Sequence, residues 1–82
     1  MTQDRDRLQV TFLGETFTIK GETNHEEIEK TSRFLNEQFN DLKARCPSLS
    51  HKNLAILAAF NLAMDMLRLR KDYEDLVEIL DK

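Results

Sequence analysis

The sequence predicts an α+β fold, mainly α, with an N-terminal β-hairpin, a shorter helix, and a long C-terminal helix that forms a coiled coil in an oligomer. Two short segments of alternating polarity flank Gly14, and apolar residues then recur at helical spacing to the end of the chain. Two glycines and one proline in 82 residues leave little room for an all-β domain. We therefore expect a small head over residues 1–49, with a hairpin over 7–20 and a helix over about 24–45, and an oligomerisation helix over 50–82.

The hairpin is predicted from two alternating segments around a glycine. Gly14-Glu15 suits a two-residue type II′ turn, which would place Leu13 opposite Thr16. In that register the apolar residues share one face, with two cross-strand pairs: Phe12 opposite Phe17, and Val10 opposite Ile19. An isolated hairpin is unstable in water, so this face must rest on a helix or on the hairpin of another subunit.

The shorter helix has clear start and stop signals. Thr23 and Asn24 are both good N-caps, and each is followed three residues later by a glutamate. Pro47 ends the helix because it forces the preceding residue out of the helical region. One apolar stripe runs along it at 4-3-4-3-4 spacing: Ile28, Ser32, Leu35, Phe39, Leu42 and Cys46.

The long helix begins at Ser50, an N-cap, and Leu49 and Leu54 have the spacing of a hydrophobic staple. The uncharged stretch 53–64 is apolar on nearly every side, which predicts burial all round. Beyond it a single seam continues at a 3.5-residue repeat and predicts an oligomer interface. The seam consists of Leu62, Met66, Leu69, Tyr73, Leu76 and Leu80. Asp65 and Arg70 beside it favour a parallel pair, by a few tenths of a kcal/mol.

Composition excludes several classes of protein. A net charge of −3 and a pI near 5.3 argue against nucleic-acid binding through a basic field. The uncharged stretch is too short for membrane insertion, and the N-terminus lacks the apolar region of a signal peptide. A single free cysteine fits the reducing cytoplasm, where we expect the protein. Oligomerisation remains as the way for so short a chain to gain stability.

No pattern of catalytic, cofactor or metal residues is present. His25, Cys46 and His51 are too far apart for metal-ligand spacing, and no Gly-rich loop follows a strand. We read Cys46 as a small apolar residue at the end of the helix-one stripe. Three cations, Lys43, Arg45 and Lys52, bracket the Pro47 turn. They form either a solvated corner with favourable charge at a helix C-terminus or a small docking patch.

Two motifs carry a resemblance to a known family. The run Phe12–Glu22, FLGETFTIKGE, resembles the N-terminal signature of the ZapA family of bacterial cell-division proteins. So does the run Leu54–Leu67, LAILAAFNLAMDML, followed by Tyr73-Glu74 and Leu76. The resemblance implies homodimers that pair into dumbbell tetramers. It also implies binding to the tubulin-like GTPase FtsZ, and bundling of its filaments at the mid-cell division ring.

The resemblance also implies where FtsZ would bind. In the family, charged residues on the hairpin and around the end of the shorter helix are thought to contact FtsZ. Those positions hold Glu15 and Thr18 on the hairpin, and Lys43, Arg45 and Lys52 around the Pro47 turn. Arg33 and Lys20 are weaker candidates. The alternative function is a small coiled-coil adaptor or chaperone for another cytoplasmic partner, and in neither case do we expect an enzyme.

Overall fold

The computed structural model describes residues 7–20 and 24–81. Four elements follow one another along the chain: β1 (Arg7–Phe12), β2 (Glu15–Lys20), α1 (His25–Arg45) and α2 (His51–Leu80). The strands form a two-stranded antiparallel sheet. The predicted fold class, a hairpin followed by a shorter and a longer helix, is confirmed.

The predicted hairpin register is wrong by two residues. The turn residues are Leu13 and Gly14, with φ angles of 51° and 83°, so both have the positive φ of a type I′ turn. Phe12 therefore pairs with Glu15, Val10 with Phe17, and Leu8 with Ile19. A leucine rarely adopts positive φ, which is why the sequence pointed to the next pair of residues. Leu13 packs against the main apolar cluster, and this contact offsets the backbone strain.

The prediction that the apolar side chains of the hairpin share one face is correct despite the register error. Side chains in a strand alternate with period two, so a shift of two residues leaves each one on its original side. The two strands place their apolar residues together, and the Phe12 and Phe17 rings lie 6.2 Å apart. The Thr11 and Thr16 hydroxyls, 3.1 Å apart, hydrogen-bond on the other face.

Helix α1 begins and ends where its caps predict. The Asn24 side chain accepts a hydrogen bond from the Glu26 backbone N–H at 2.7 Å, and the Cys46 N–H donates to the Leu42 carbonyl at 2.8 Å. All six residues of the predicted stripe are buried or half-buried. The alternative cap, Thr23, lies outside the described residues.

The core lies where the two helices and β1 meet. Phe39 and Leu42 of α1 pack with Leu54 and Ala58 of α2, and Leu54 is only 1% exposed. The Phe12 ring meets the Phe39 ring edge-on at 6.3 Å. The Ser50 hydroxyl caps α2 by accepting from the Asn53 N–H, as predicted.

Beyond this core, α2 is uncovered. Burial all round was predicted for residues 53–64, and this is wrong for a single chain: Ile56 is 57% exposed and Phe60 60%. Within the described residues α1 covers one side of α2, and nothing covers the other. The molecule is flat and extended, 52 × 43 × 14 Å. Its radius of gyration is 16.8 Å, against about 12 Å for a compact chain of this length.

Candidate partner-binding and assembly surfaces

The predicted seam is an exposed apolar surface. Leu62, at its start, is half-buried near the head. The other five seam residues are all more than half exposed: Met66, Leu69, Tyr73, Leu76 and Leu80. We call residues 66–80 the distal segment. Its seam is the kind of continuous apolar patch that marks an interaction site in a water-soluble protein.

Of the ion pairs described in the distal part of α2, Lys71–Asp75 lies away from the seam, and the Arg68–Asp65 pair has Asp65 beside it. Lys71 Nζ lies 3.1 Å from Asp75 Oδ2, and Arg68 Nη1 lies 3.9 Å from Asp65 Oδ1. The hydrogen bond from Lys71 to the Asp75 carboxylate, together with the attraction of that charge, raises the pKa of Lys71. Asp65 therefore pairs within its own helix in the single chain, so the predicted contact with a partner's Arg70 stays a prediction. Association along the seam would leave the Lys71–Asp75 pair in solvent, because both residues lie on the opposite side of the helix.

The three cations around the Pro47 turn do not form one patch. Lys52 lines a groove with Glu15 at its rim, and the floor of that groove is aromatic and aliphatic. Lys43 lines a neighbouring cleft with Gly14 and His51, beside the hairpin turn. Two of the three cations therefore flank the hairpin turn.

Arg45 occupies a different environment. Its guanidinium lies 2.9 Å from the Asp41 carboxylate, and both line a cleft between α1 and α2 that also holds Asp65 and Arg68. Its charge is compensated by Asp41. Arg45 is therefore a weaker candidate for binding an acidic partner than Lys43 or Lys52.

The two hairpin candidates face opposite ways. Glu15 pairs with Phe12 and belongs to the apolar face, whereas Thr18 pairs with Gln9 on the polar face. Lys20 pairs with Arg7 at the open end of the hairpin, and Arg33 lines a cleft beside β1. No single flat partner surface could contact Glu15 and Thr18 alike.

The described residues hold no clustered metal ligands. Nowhere in residues 7–20 and 24–81 do three side chains of His, Cys, Asp or Glu come together as a metal site would need. Cys46 is a free, half-buried thiol at the C-terminus of α1. Neither described helix has the length and apolar character needed to cross a membrane.

Comparison with known proteins decides the family. The family model "Cell division protein ZapA" matches residues 8–82, almost the whole chain. The chain belongs to the ZapA family. It is 27% identical over 78 residues to the cell division protein ZapA of Bacillus anthracis, covering 95% of this chain and 88% of that protein. The Geobacillus sp. WCH70 ZapA is 26% identical over 80 residues, covering 98% and 92%.

A solved ZapA structure shares the fold. A ZapA mutant dimer from Geobacillus stearothermophilus superposes with a TM-score of 0.74 at 29% identity, covering 93% of this chain and 88% of that chain. The arrangement of hairpin, shorter helix and long helix is thus the ZapA arrangement.

Sequence reasoning missed a second apolar surface on α2. Ile56, Phe60 and Leu67 are each more than half exposed, away from the seam. Their spacing, with Ala63 between them, is 4-3-4, the same helical rhythm that identified the seam. This periodicity was hard to recognise because the residues around it are also apolar, so the sequence predicted burial on every side of the helix.

Proposed function

We propose that this chain is a non-enzymatic cell-division protein that binds FtsZ in the cytoplasm and cross-links or bundles its filaments at the mid-cell division ring. Its place in the ZapA family supports the division role. The observation that carries the cross-linking role is the exposed, uncharged seam of the distal segment, which extends away from a head that bears the candidate binding residues.

The proposal assigns different tasks to the two parts of the chain. Residues 1–49 form the filament-binding head, and residues 50–82 the oligomerisation helix. A helix of 30 residues is about 45 Å long, so two dimers that pair through their distal segments hold their heads apart at opposite ends. One head on one filament cannot cross-link, whereas two heads on a rigid spacer gain avidity through effective concentration.

The oligomer we propose is a homodimer that pairs into a dimer of dimers through coiled-coil contacts of the seam. A sustained 3.5-residue apolar repeat with exposed side chains is the pattern that such contacts need. The structural relative from Geobacillus stearothermophilus is itself described as a dimer, which supports the first step of this assembly.

For the filament contact we propose Lys43 and Lys52 beside the hairpin turn, with Glu15 and Thr18 as the hairpin candidates. Both lysines are exposed, and no ion pair is formed by either within the described residues. Arg45 is also a candidate, but we expect it to contribute less to FtsZ binding, because Asp41 compensates its charge. FtsZ is expected to be acidic, so free cations are the favourable contact.

Co-sedimentation with purified FtsZ filaments tests this assignment. The double variant Lys43→Glu/Arg45→Glu should lose co-sedimentation and bundling while keeping the parent's oligomeric state, since neither residue lies on the seam. The single variant Lys43→Glu should lose more binding than Arg45→Glu. Bundling by the parent should also weaken with added salt, because exposed charges are screened beyond about 8 Å at physiological ionic strength.

The matched control reverses two cations in the distal segment. Arg68→Glu/Lys71→Glu changes net charge by the same amount on exposed, off-seam positions, and it should still bundle filaments. If Lys43→Glu/Arg45→Glu bundles as well as the parent, the corner is solvated surface and the contact belongs to the hairpin around Glu15 and Thr18. If the assembled parent itself fails to pellet with FtsZ, the proposal is wrong.

A further inference from the structure

The two edges of the hairpin are covered to different extents. On the β1 edge the Asn36 side chain of α1 donates a hydrogen bond to the Thr11 carbonyl at 3.1 Å, and α1 packs along that strand. β2 lies on the far side of β1, and all of its residues except the half-buried Ile19 are exposed. We call the side of β2 that faces away from β1 the β2 edge.

The hydrogen-bond pattern of the hairpin decides which backbone groups point to the β2 edge. A two-residue turn bonds its flanking residues to each other, here Phe12 and Glu15. Bonded and non-bonded pairs alternate along an antiparallel ladder, so the N–H and C=O groups of Thr16, Thr18 and Lys20 point outward. Within residues 7–20 and 24–81, none of these outward backbone groups has a hydrogen-bond partner.

The β2 edge lacks the features that keep exposed strands from pairing. Natural edge strands are very short, bulged, covered, or interrupted by proline or by charge. β2 pairs with β1 over 6 residues without a bulge, and its central residues, 16–19, include no proline and no charge. Threonine, phenylalanine and isoleucine all favour extended backbone. The edge can therefore accept a further strand.

The open end of the hairpin carries two like charges side by side. Arg7 and Lys20 lie directly opposite each other in a non-bonded pair, the kind in which side chains are closer together. Like charges directly opposite each other destabilise a sheet, so a carboxylate supplied from outside would relieve this repulsion. The described residues of this polar face are all exposed and include no acid: Arg7, Gln9, Thr11, Thr16, Thr18 and Lys20.

We propose that the β2 edge binds an extended segment of a protein partner, which joins the hairpin as a third strand. The outward N–H and C=O groups recur at every second residue, about 7 Å apart, a spacing that an extended backbone matches and a helix does not. The segment alternates in polarity. Its apolar residues continue the face of Phe17 and Ile19, its polar residues continue the threonine face, and a carboxylate on the polar side lies beside Lys20.

The charge pattern of β2 favours a separate partner over a second copy of the strand. Residues directly opposite each other in a sheet lie on the same face. Glu15 lies on the apolar face and Lys20 on the polar face, so two β2 strands can bring these charges together only by joining an apolar face to a polar one. Every register that keeps the faces together leaves Arg7 and Lys20 without an acid from β2. A segment with its own carboxylate satisfies both the faces and the charges.

A strand at the β2 edge also contacts both faces of the hairpin. Glu15 and Thr18 face opposite ways, so a flat surface reaches one of them, whereas an added strand presents side chains beside both. Strand addition follows from the backbone and charges of the hairpin alone, and it stands whether or not FtsZ supplies the segment.

Amide hydrogen exchange of the assembled protein, followed by NMR with and without a peptide, tests the site. The probe is the capped hexapeptide Glu-Val-Thr-Val-Thr-Lys, whose glutamate lies beside Lys20 when it binds antiparallel to β2. In the free protein the amides of Phe17 and Ile19, which bond to β1, should exchange slowly, and those of Thr16 and Thr18 rapidly. Saturating peptide should slow exchange at Thr16 and Thr18 by about tenfold or more.

Matched peptides and variants separate backbone pairing from side-chain contact. The peptide Glu-Val-Pro-Val-Thr-Lys keeps the charges but lacks the N–H that faces Thr18, so it should give no protection. The peptide Lys-Val-Thr-Val-Thr-Lys lacks the acid and should bind about threefold more weakly or worse. Proline is tolerated on an edge strand where the N–H faces solvent, so Thr18→Pro should keep the hairpin and lose peptide binding. Thr18→Val keeps the backbone N–H and should bind like the parent.

Three results on the unmodified protein would overturn the proposal. If the amides of Thr16 and Thr18 are already protected without peptide, another part of the assembly covers the β2 edge. If millimolar peptide leaves both amides unprotected, the edge does not accept a strand. If the proline peptide protects them as well as the parent peptide does, the contact is not backbone pairing. The assay contains no FtsZ, so its outcome is separate from that of the co-sedimentation experiment.

Discussion

Two leucines on one helix show how differently the two ends of the molecule are stabilised. Leu54, in the first turn of α2, is 1% exposed, and Leu69, four turns later, is 70% exposed. Both stand in apolar patterns of comparable quality in the sequence. The difference is what covers them, since α1 and the hairpin cover the start of α2 and no described part of the chain covers the distal segment.

The head and the distal segment therefore gain their stability from different sources. The head core is formed by residues of one chain, so its contribution is independent of protein concentration. The distal segment is a helix of about fifteen residues, and a helix of that length is marginal in water without tertiary packing. On the proposed assembly, its stability comes from a second copy and therefore depends on protein concentration. The predictions below separate the two sources, beginning with the largest effect.

The largest effect is expected from a charge in the seam. Leu69→Asp removes an apolar contact worth about 1.5–3 kcal/mol per copy and places a carboxylate in the interface. The variant should be monomeric, or unfolded beyond the head, at concentrations where the parent is assembled. Sedimentation equilibrium measures this. Lys71→Asp, two residues away and off the seam, is the control and should assemble like the parent.

The next effect concerns the head core. Leu54→Ala should lower the free energy of unfolding by about 2–5 kcal/mol, the range for a fully buried leucine. Urea denaturation at two protein concentrations should give the same loss at both. A loss below about 1 kcal/mol would mean that the contact between α2 and α1 contributes little, and that the head is held together by its partner instead.

The fold was predictable in the parts where a single chain supplies all the packing contacts. The Asn24 and Ser50 caps, the Pro47 stop and the α1 stripe depend on local chemistry or on one helix face, and each is read from residue type and spacing. The register failed at Leu13, because tertiary burial of that side chain stabilises a turn that local preference disfavours.

The candidate site was predictable only in part. The seam is a periodic pattern, and five of its six members are exposed; its role as an oligomer interface stays a prediction. The grouping of Lys43, Arg45 and Lys52 came from closeness in sequence, but the three line different clefts. Lys43 and Arg45 lie two residues apart, on opposite sides of α1, and Lys52 lies on α2. The second apolar surface of α2, with Ile56, Phe60 and Leu67 exposed, was missed because a helix that is apolar on all sides does not indicate which side its own chain leaves uncovered.

A smaller effect is expected for the lone thiol. Cys46→Ser should cost about 1 kcal/mol of stability, since the side chain is half-buried at the end of the α1 stripe. Filament bundling should be unchanged, because the described residues provide no metal cluster around it. Loss of bundling in a folded, correctly assembled variant would reveal a role for the thiol that the structure does not suggest.

The smallest effect is expected at the Lys71–Asp75 pair. Its side chains are 74% and 53% exposed, and they lie off the seam, so Lys71→Met should leave assembly unchanged. The raised pKa of Lys71 means that the folded helix holds the proton more tightly than the unfolded chain. The pair therefore contributes below pH 10.5 and its contribution fades as pH rises through the folded pKa. Thermal melts of parent and Lys71→Met should differ slightly at pH 8 and converge at higher pH; a larger difference at high pH would contradict this.

The central claim is that another copy of the chain covers the distal half of α2, and sedimentation equilibrium of the unmodified protein tests it most directly. At micromolar concentration the mass should be two or four times 9.6 kDa, and dilution should lower the mass and the helical content of the distal segment together. A folded, monodisperse monomer at that concentration, with α2 helical to its end, would contradict the account.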